Sequence, residues 1–345
     1  MANRTGNAIA ALDVARLRAW IGQIRPADGD KTMSDRLEVS PVGTVSAAMA
    51  KLQALWKFSR PHTIYGTSAS VLGLYLLARE PGQFWYAGWE SVAIALLVCL
   101  STNVYIVGLN QLFDIEIDRV NKPNLPLASG AMSVPQGIAV VAALGTLGLA
   151  LSGLVNRYLF VTVLLSTAIG TIYSAPPIRL KRFPFFAALC IYSVRGLVVN
   201  FGLFAYFRAV FGQSITPTPA LLALVVFILV FTFAIAIFKD IPDMDGDRKF
   251  NIATFSLRLG QERIFNFSLG VLSVAYAAMA VACGVVAEIS AMAIAIHLGG
   301  LSILWWARWQ LKSRDRTAMY GYYQLIWKLF YLEYLCFPLT QVVGR

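Results

Sequence analysis

The stretch SVAIALLVCLSTNVYIVGLNQLFDIEID, residues 91–118, runs without a charge from Ser91 to Phe113 and then places two aspartates within five residues. An apolar run of that length matches the ~17–25 residues that cross a hydrocarbon core as a helix. On a helix, Asn110, Asp114 and Asp118 are spaced i, i+4, i+8 and form one polar stripe rising about 6 Å per step. The segment therefore reads as a membrane span that ends in an oxygen-rich face.

Similar runs recur along the chain at approximately 58–78, 136–155, 157–176, 186–207, 219–238, 266–286, 288–305 and 323–343, which with 90–113 makes nine spans. The 345 residues are 58% hydrophobic and 14% charged, a balance suited to lipid rather than water. The expected fold is an all-α polytopic membrane protein, one bundle of nine transmembrane helices. Residues 58–345 form the bundle, and residues 1–57 form a basic N-terminal region on the cytoplasmic side. In that region Val14, Leu17, Ile21 and Ile24, then Val45, Met49, Leu52 and Trp56, predict two amphipathic helices lying on the membrane surface or against the bundle's loops. The first thirty residues lack serine and include Asp13, Asp28 and Asp30, which argues against a transit peptide.

Lys and Arg crowd into residues 1–60 and the breaks after spans two, four, six and eight. The opposite breaks and the C-terminus hold only Arg79, Arg157, Arg208 and Arg345. This alternation puts the N-terminus and both acidic motifs on the cytoplasmic or stromal-equivalent face. The +11 net charge then reflects orientation, and nucleic acid is not an expected partner. Cys99, Cys190, Cys283 and Cys336 fall inside spans without CxxC spacing, so neither a disulfide framework nor a zinc site is expected.

The second acidic motif, KDIPDMDGD, spaces Asp240, Asp243 and Asp247 at i, i+3, i+7 after span six, with Pro242 and Gly246 placed to bend or end the helix. Seven of the chain's 18 acidic residues lie in the two motifs: Asp114, Glu116, Asp118, Asp240, Asp243, Asp245 and Asp247. Carboxylates crowded at a membrane boundary need cations. Oxygen donors without cysteine or nearby histidine point to magnesium. Arg119, Lys122, Arg179, Lys181, Arg182, Lys239, Arg248 and Lys249 stand on the same face, so acids holding metal beside fixed cations describe a diphosphate site. Such a head at a membrane boundary implies a lipid-tailed substrate. If that substrate is an allylic prenyl diphosphate, its C–O bond breaks to leave a cation that aromatic faces stabilise; Tyr173, beside the basic SAPPIRLKRFP loop, is the aromatic candidate. Arg195, inside span five, is either a site residue or a buried structural partner. Lys328 and Glu333 share span nine and are read as neutralising each other or snorkelling, and His297 as a packed helix histidine. A cation transporter is the competing class, although transporter acids sit near mid-membrane and these sit at helix ends.

The NxxxDxxxD pattern of Asn110-Asp114-Asp118 and the DxxxD pattern of Asp243-Asp247 resemble the motifs of the UbiA-type intramembrane prenyltransferases over about residues 55–343. The resemblance implies a nine-helix bundle around a central cavity open sideways to lipid, and two magnesium ions, held by Asn110, Asp114, Asp118, Asp243 and Asp247, bridging a prenyl diphosphate. NQLFDIEIDRVNKPNLPLASG, FSRPHT and KDIPDMDGDRKF look most like the homogentisate prenyltransferases of tocopherol and plastoquinone synthesis, in photosynthetic bacterial or plastid-type membranes. Those enzymes join a long, phytyl-like prenyl group to homogentisate with loss of its carboxylate. Acceptors such as 4-hydroxybenzoate, a naphthoate or chlorophyllide remain alternatives; Lys122, where chlorophyll synthases carry an acid, disfavours the last. Under this resemblance Arg60, Lys122 or Arg195 pairs with the acceptor carboxylate or the diphosphate, and His62 contacts the acceptor, moves a proton or makes an interfacial hydrogen bond.

Overall fold

The computed structural model describes residues 41–80, 88–241, 244–249, 254–286, 289–311 and 315–343, and among these no strand occurs. Chain order runs α1 (Pro41–Phe58), α2 (Pro61–Ala78), α3 (Trp89–Phe113), α4 (Ile115–Asn121), α5 (Pro126–Ser129), α6 (Val134–Val155) and α7 (Arg157–Ser174). It continues through α8 (Pro184–Tyr192), a π-helical segment Ser193–Val198, α9 (Val199–Val210), α10 (Pro219–Phe238), α11 (Met244–Lys249), α12 (Phe255–Leu259), α13 (Gln261–Val285), α14 (Ala293–Gln310) and α15 (Arg316–Val343).

Local chemistry sets several of these boundaries. Ser133 and Gln136 close a capping box at the start of α6. Thr218 caps α10 with Pro219 at its first position, where a missing N–H costs nothing. Six helical segments, Trp89–Phe113, Val134–Val155, Arg157–Ser174, Phe185–Val210, Pro219–Phe238 and Gln261–Val285, are long and apolar enough to cross a membrane. The protein is an integral membrane protein. Helices α2, α14 and α15 stand where spans one, eight and nine were expected but carry more polar sequence.

Helix α10 lies in the interior: 67% of its most apolar window is buried, against 22% for α6, whose apolar side chains face outward. Its uniformly apolar sequence suits a helix surrounded by others. Packed around it are α13, the π segment and α15, while α2 lies against α15, α9 and α3. At the α2–α15 contact Gly73 meets the backbone oxygen of Tyr334, so no side chain fits there and the helices approach at backbone distance. A smaller cluster of Phe58, Val104, Leu112, Leu127, Met132 and Val141 fastens the end of α1 and the loop helices to α3 and α6.

The second of the two expected N-terminal helices is present as α1, with Met49, Leu52 and Trp56 exposed. The first, around Val14–Ile24, lies outside the described residues.

Candidate active site

The first acidic motif is not one uninterrupted helix, as its spacing had suggested. The chain breaks at Asp114 (φ −116°, ψ 13°) between α3 and α4. Arg179 fills the gap, donating from Nη2 to the Phe113 carbonyl at 3.1 Å and to Asp114 Oδ1 at 2.9 Å. The Asp118 N–H still bonds the Asp114 carbonyl at 2.7 Å, so the i, i+4 relation survives the break. Asn110 and Asp118 therefore keep a common face: Arg60 Nη2 donates to Asn110 Oδ1 at 3.3 Å and lies 3.8 Å from Asp118 Oδ2. Asn110 Nδ2 in turn reaches Ser174 Oγ at 3.5 Å.

Lys181 Nζ donates to the second Asp114 oxygen at 2.5 Å. Burial pushes the Asp114 carboxyl upward, but Lys181 and then Arg179 outweigh it and hold the group below the usual carboxylate range. Burial also presses the Lys181 ammonium down to about 8, against the upward pull of Asp114. Glu116 points elsewhere, paired with exposed Arg119 at 2.6 Å.

Two residues that reach this motif hold unusual backbone. Arg60 (φ 51°) and Arg179 (φ 44°) are the non-glycine residues with positive φ among those described. Such conformations cost about 1–3 kcal/mol each and cluster at functional sites. Arg60 also precedes Pro61, which normally forces the extended region. The surroundings fix it: Phe58 is fully buried, its carbonyl accepts from Gln111 Nε2 at 2.7 Å, and Thr63 Oγ1 donates to the Arg60 carbonyl at 2.9 Å while accepting from Asn103 at 2.9 Å.

The two motifs meet. Helix α11, which carries Asp247 of the second, packs against α4, which carries Asp118 of the first. Helix α10 ends at Phe238, before Pro242, and Lys239 pairs with buried Asp240 at 2.7 Å. Tyr173 lies within electrostatic range of Lys239 and Asp240 from the second motif's end and of Asp114 and Arg60 from the first. Lys122 ends α4, its N–H bonded to the Asp118 carbonyl at 2.7 Å. Asp243 lies outside the described residues, and for Asp247 the backbone of α11 is described but not the side chain. Among the described residues no group of three His, Cys, Asp or Glu stands close enough to hold a metal. Cys99, Cys190, Cys283 and Cys336 are free thiols.

Arg195 sits away from the acids, in the π-helical segment. Its guanidinium lies 4.7 Å from the Trp327 ring centre and 5.8 Å from that of Phe330. A charge at the centre of a span costs about 3 kcal/mol, and two cation–π contacts of about 1 kcal/mol each offset part of it. The wider turn is built into the bundle. Asn200, fully buried, donates to the carbonyls of Arg195 (3.0 Å) and Gly196 (2.9 Å) and accepts from Tyr334 Oη at 2.7 Å. Gly196 leaves room for Leu229 of α10, which a Cβ would strike. His62 packs edge-on to Trp327 at 5.2 Å, and Tyr331 donates to the His62 carbonyl at 2.6 Å.

Asn200 and Tyr334 were not singled out from the sequence; a lone asparagine in an apolar span was the available signal for the first. Of the two readings of Lys328 and Glu333, mutual neutralisation is corrected, and the exposed Lys328 fits snorkelling. Five residues apart on a helix, the two point to different faces. Glu333 is buried and meets His297 Nε2 at 3.1 Å, whereas Lys328 is exposed.

Residues 68–329 match the model of the UbiA prenyltransferase family. Over 303 residues the chain is 48% identical to homogentisate phytyltransferase of Synechocystis sp., covering 85% of this chain and 96% of that protein. It is 39% identical to homogentisate phytyltransferase 1, chloroplastic, of Arabidopsis thaliana, covering 83% and 75%. Its fold is similar to the structure of a UbiA homolog from Archaeoglobus fulgidus bound to GPP and Mg2+, with a TM-score of 0.56, 18% identity and coverage of 82% and 98%. Motif, bundle and sequence likeness agree, and the chain belongs to the UbiA prenyltransferase family.

Proposed function

We propose that this protein transfers a long, phytyl-like prenyl group from its diphosphate to homogentisate, with decarboxylation, in tocopherol or plastoquinone synthesis. The observation that carries the reading is the meeting of the two acidic motifs at one end of the bundle, with Arg60, Arg179, Lys181 and Lys239 among them. The likeness to proteins named homogentisate phytyltransferase supports the acceptor.

The donor set fits magnesium: hard oxygens of Asn110, Asp114 and Asp118, with Asp243 and Asp247 completing the set for two ions. Bound there, magnesium neutralises the diphosphate and makes it a better leaving group. The cations now on Asp114, Asp118 and Asp240 then have a second role. Arg179, Lys181, Arg60 and Lys239 take the diphosphate oxygens and stabilise the charge that grows as the C1–O bond breaks. Tyr173, within electrostatic range of both motifs, offers its ring face to the allylic carbon. A ring carbon of the acceptor attacks C1, the ring loses a proton, and the side-chain carboxylate leaves as carbon dioxide, its methylene taking up a proton. Asp240 orients Lys239, and Lys122 and His62 border the acceptor side.

In this reading all nine long helical segments cross the membrane, the prenyl tail runs into the central cavity, and the site faces the cytoplasm or stroma of a photosynthetic bacterial or plastid-type membrane. Residues 1–57 stay on that face as a separate amphipathic region. The test is purified protein with labelled homogentisate, a panel of prenyl diphosphates, and magnesium or chelator. Prenylated, decarboxylated product is expected only with magnesium. Equal product in chelator would reject the metal role, and product from 4-hydroxybenzoate but not homogentisate would reject the acceptor.

A further inference from the structure

Below the acid end of the bundle the structure holds a second, separate cation in an aromatic setting. The Arg195 guanidinium forms no ion pair with a carboxylate among the described residues, and its close neighbours are the faces of Trp327 and Phe330 and the α-carbon of Gly66. A charge kept inside a span by a π-helical turn is a costly arrangement of a kind found at functional sites. The turn is also specifically supported, by Asn200 on its two carbonyls and Tyr334 on Asn200.

Arg195 stands beside Gly66, six residues along α2 from Arg60, or about 9 Å at the helical rise. Between the two arginines lie His62, edge-on to Trp327, and Tyr331; Arg60, Arg195 and Lys122 all act electrostatically on His62. Tyr323 meets Trp327 edge-on and stacks on Phe238. The contacts that run from Arg60 to Arg195 are thus aromatic, with a cation at each end. The acid-side cations already have Asp114, Asp118 and Asp240, and a diphosphate to receive in their place. Among the described residues Arg195, unlike those cations, has no carboxylate partner, and its guanidinium rests on aromatic faces instead.

We infer that Arg195, presented by the π turn and backed by Trp327, binds the carboxylate of the aromatic acceptor and holds its ring beside His62, facing the prenyl C1. This rests on the acceptor being an aromatic acid, as proposed above. A guanidinium pairs with a carboxylate through two parallel hydrogen bonds, which gives the ring one orientation rather than several. Asn200 and Tyr334 are then positioning residues that act through Arg195.

The experiment compares wild type, Arg195→Gln and Arg195→Lys for prenylation of homogentisate and of its methyl ester, with KM measured for both the acceptor and the prenyl diphosphate. Wild type is expected to prefer the acid. Arg195→Gln should raise the homogentisate KM at least 30-fold, leave the prenyl diphosphate KM within threefold and bring the acid-to-ester preference close to one. Arg195→Lys should keep part of that preference. Equal losses on acid and ester, or a donor KM that rises in step, would overturn the inference, as would failure of both variants to fold, which would mark Arg195 as a structural bridge between helices. Wild type that uses the ester as well as the acid removes the carboxylate role while leaving the proposed reaction intact. Wild type that prenylates no homogentisate overturns the proposed acceptor instead.

Discussion

Asp114 is committed twice, to Arg179 and Lys181 in the structure and to metal in the proposed reaction. This double commitment predicts that magnesium and the prenyl diphosphate bind cooperatively. Magnesium arriving alone must displace two cations from the carboxylate. A diphosphate arriving alone takes those cations and faces a bare, buried carboxylate. Together, each anion acquires a partner. Hydrogen bonds to charged groups contribute about 1.5–3 kcal/mol net, so the two contacts hold about 3–6 kcal/mol, the ceiling for coupling through them. Part of this is exchanged rather than lost, which brings the expected coupling to about 1–3 kcal/mol, or 5- to 150-fold. Titration calorimetry on detergent-purified protein, with a thiolo analogue of the prenyl diphosphate that does not react, reads the effect. Magnesium Kd should fall at least fivefold when the analogue is saturating, after subtraction of magnesium–analogue association in buffer, and analogue Kd should fall by the same factor with magnesium. Lys181→Met should tighten magnesium binding in the absence of analogue and shrink the coupling. A magnesium Kd that changes less than twofold with analogue would refute the exchange at Asp114.

Asp114→Ala and Asp243→Ala should each lower turnover at least a thousandfold while membrane expression stays near wild type; normal turnover in either would contradict a shared site. Asn200→Leu removes two bonds to carbonyls and one from Tyr334, and at about 1 kcal/mol each should cost about 2–3 kcal/mol in detergent or SDS unfolding. It should also raise the homogentisate KM more than the donor KM, which a purely structural loss would not do. Gly73→Val places a side chain against the Tyr334 backbone and should destabilise the protein by more than 2 kcal/mol, where a solvent-exposed valine would cost well under one. Glu333→Leu leaves buried His297 without its carboxylate. It should lower the unfolding midpoint with little change in either KM, since the pair lies outside the proposed site.

Apolar run length and charge alternation placed α10 at its observed bounds and α3 within a residue of them, because lipid demands long unbroken apolar helices and tolerates few charges. In the first motif the spacing also put Asn110 and Asp118 on one face, where Arg60 reaches both. It could not show the break at Asp114, because that break is made from a distance: Arg179, far along the chain, supplies the donor that replaces a lost helical bond. The Lys328–Glu333 pairing failed for a related reason. Two charges in one span suggest each other, while the true partner of Glu333 sits on the neighbouring helix at a distance no single-helix reading contains. Arg195 was legible as an expensive charge, but its π turn depends on Asn200 and Tyr334, and the link between α9 and α15 is a product of packing.

The strained arginines connect these observations. Arg60 and Arg179 leave α2 and the basic loop with positive φ, and both reach the first motif. A flexible lysine on a relaxed loop would meet the same acids at lower conformational cost, but it would have to be ordered again when a diphosphate replaced them. Backbone strain fixed by Gln111, Thr63 and the Phe113 carbonyl keeps each guanidinium in place whether its anion is a carboxylate or a phosphate. Reorganisation is then complete before the C–O bond breaks, the condition under which fixed charges lower a barrier most effectively. Removing the guanidinium fork while keeping the charge should separate these effects. Arg179→Lys retains the charge but loses the fork that bridges Phe113 and Asp114, so kcat should fall by about tenfold or more while KM for the diphosphate changes less. Equal changes in the two parameters would show that Arg179 contributes charge alone.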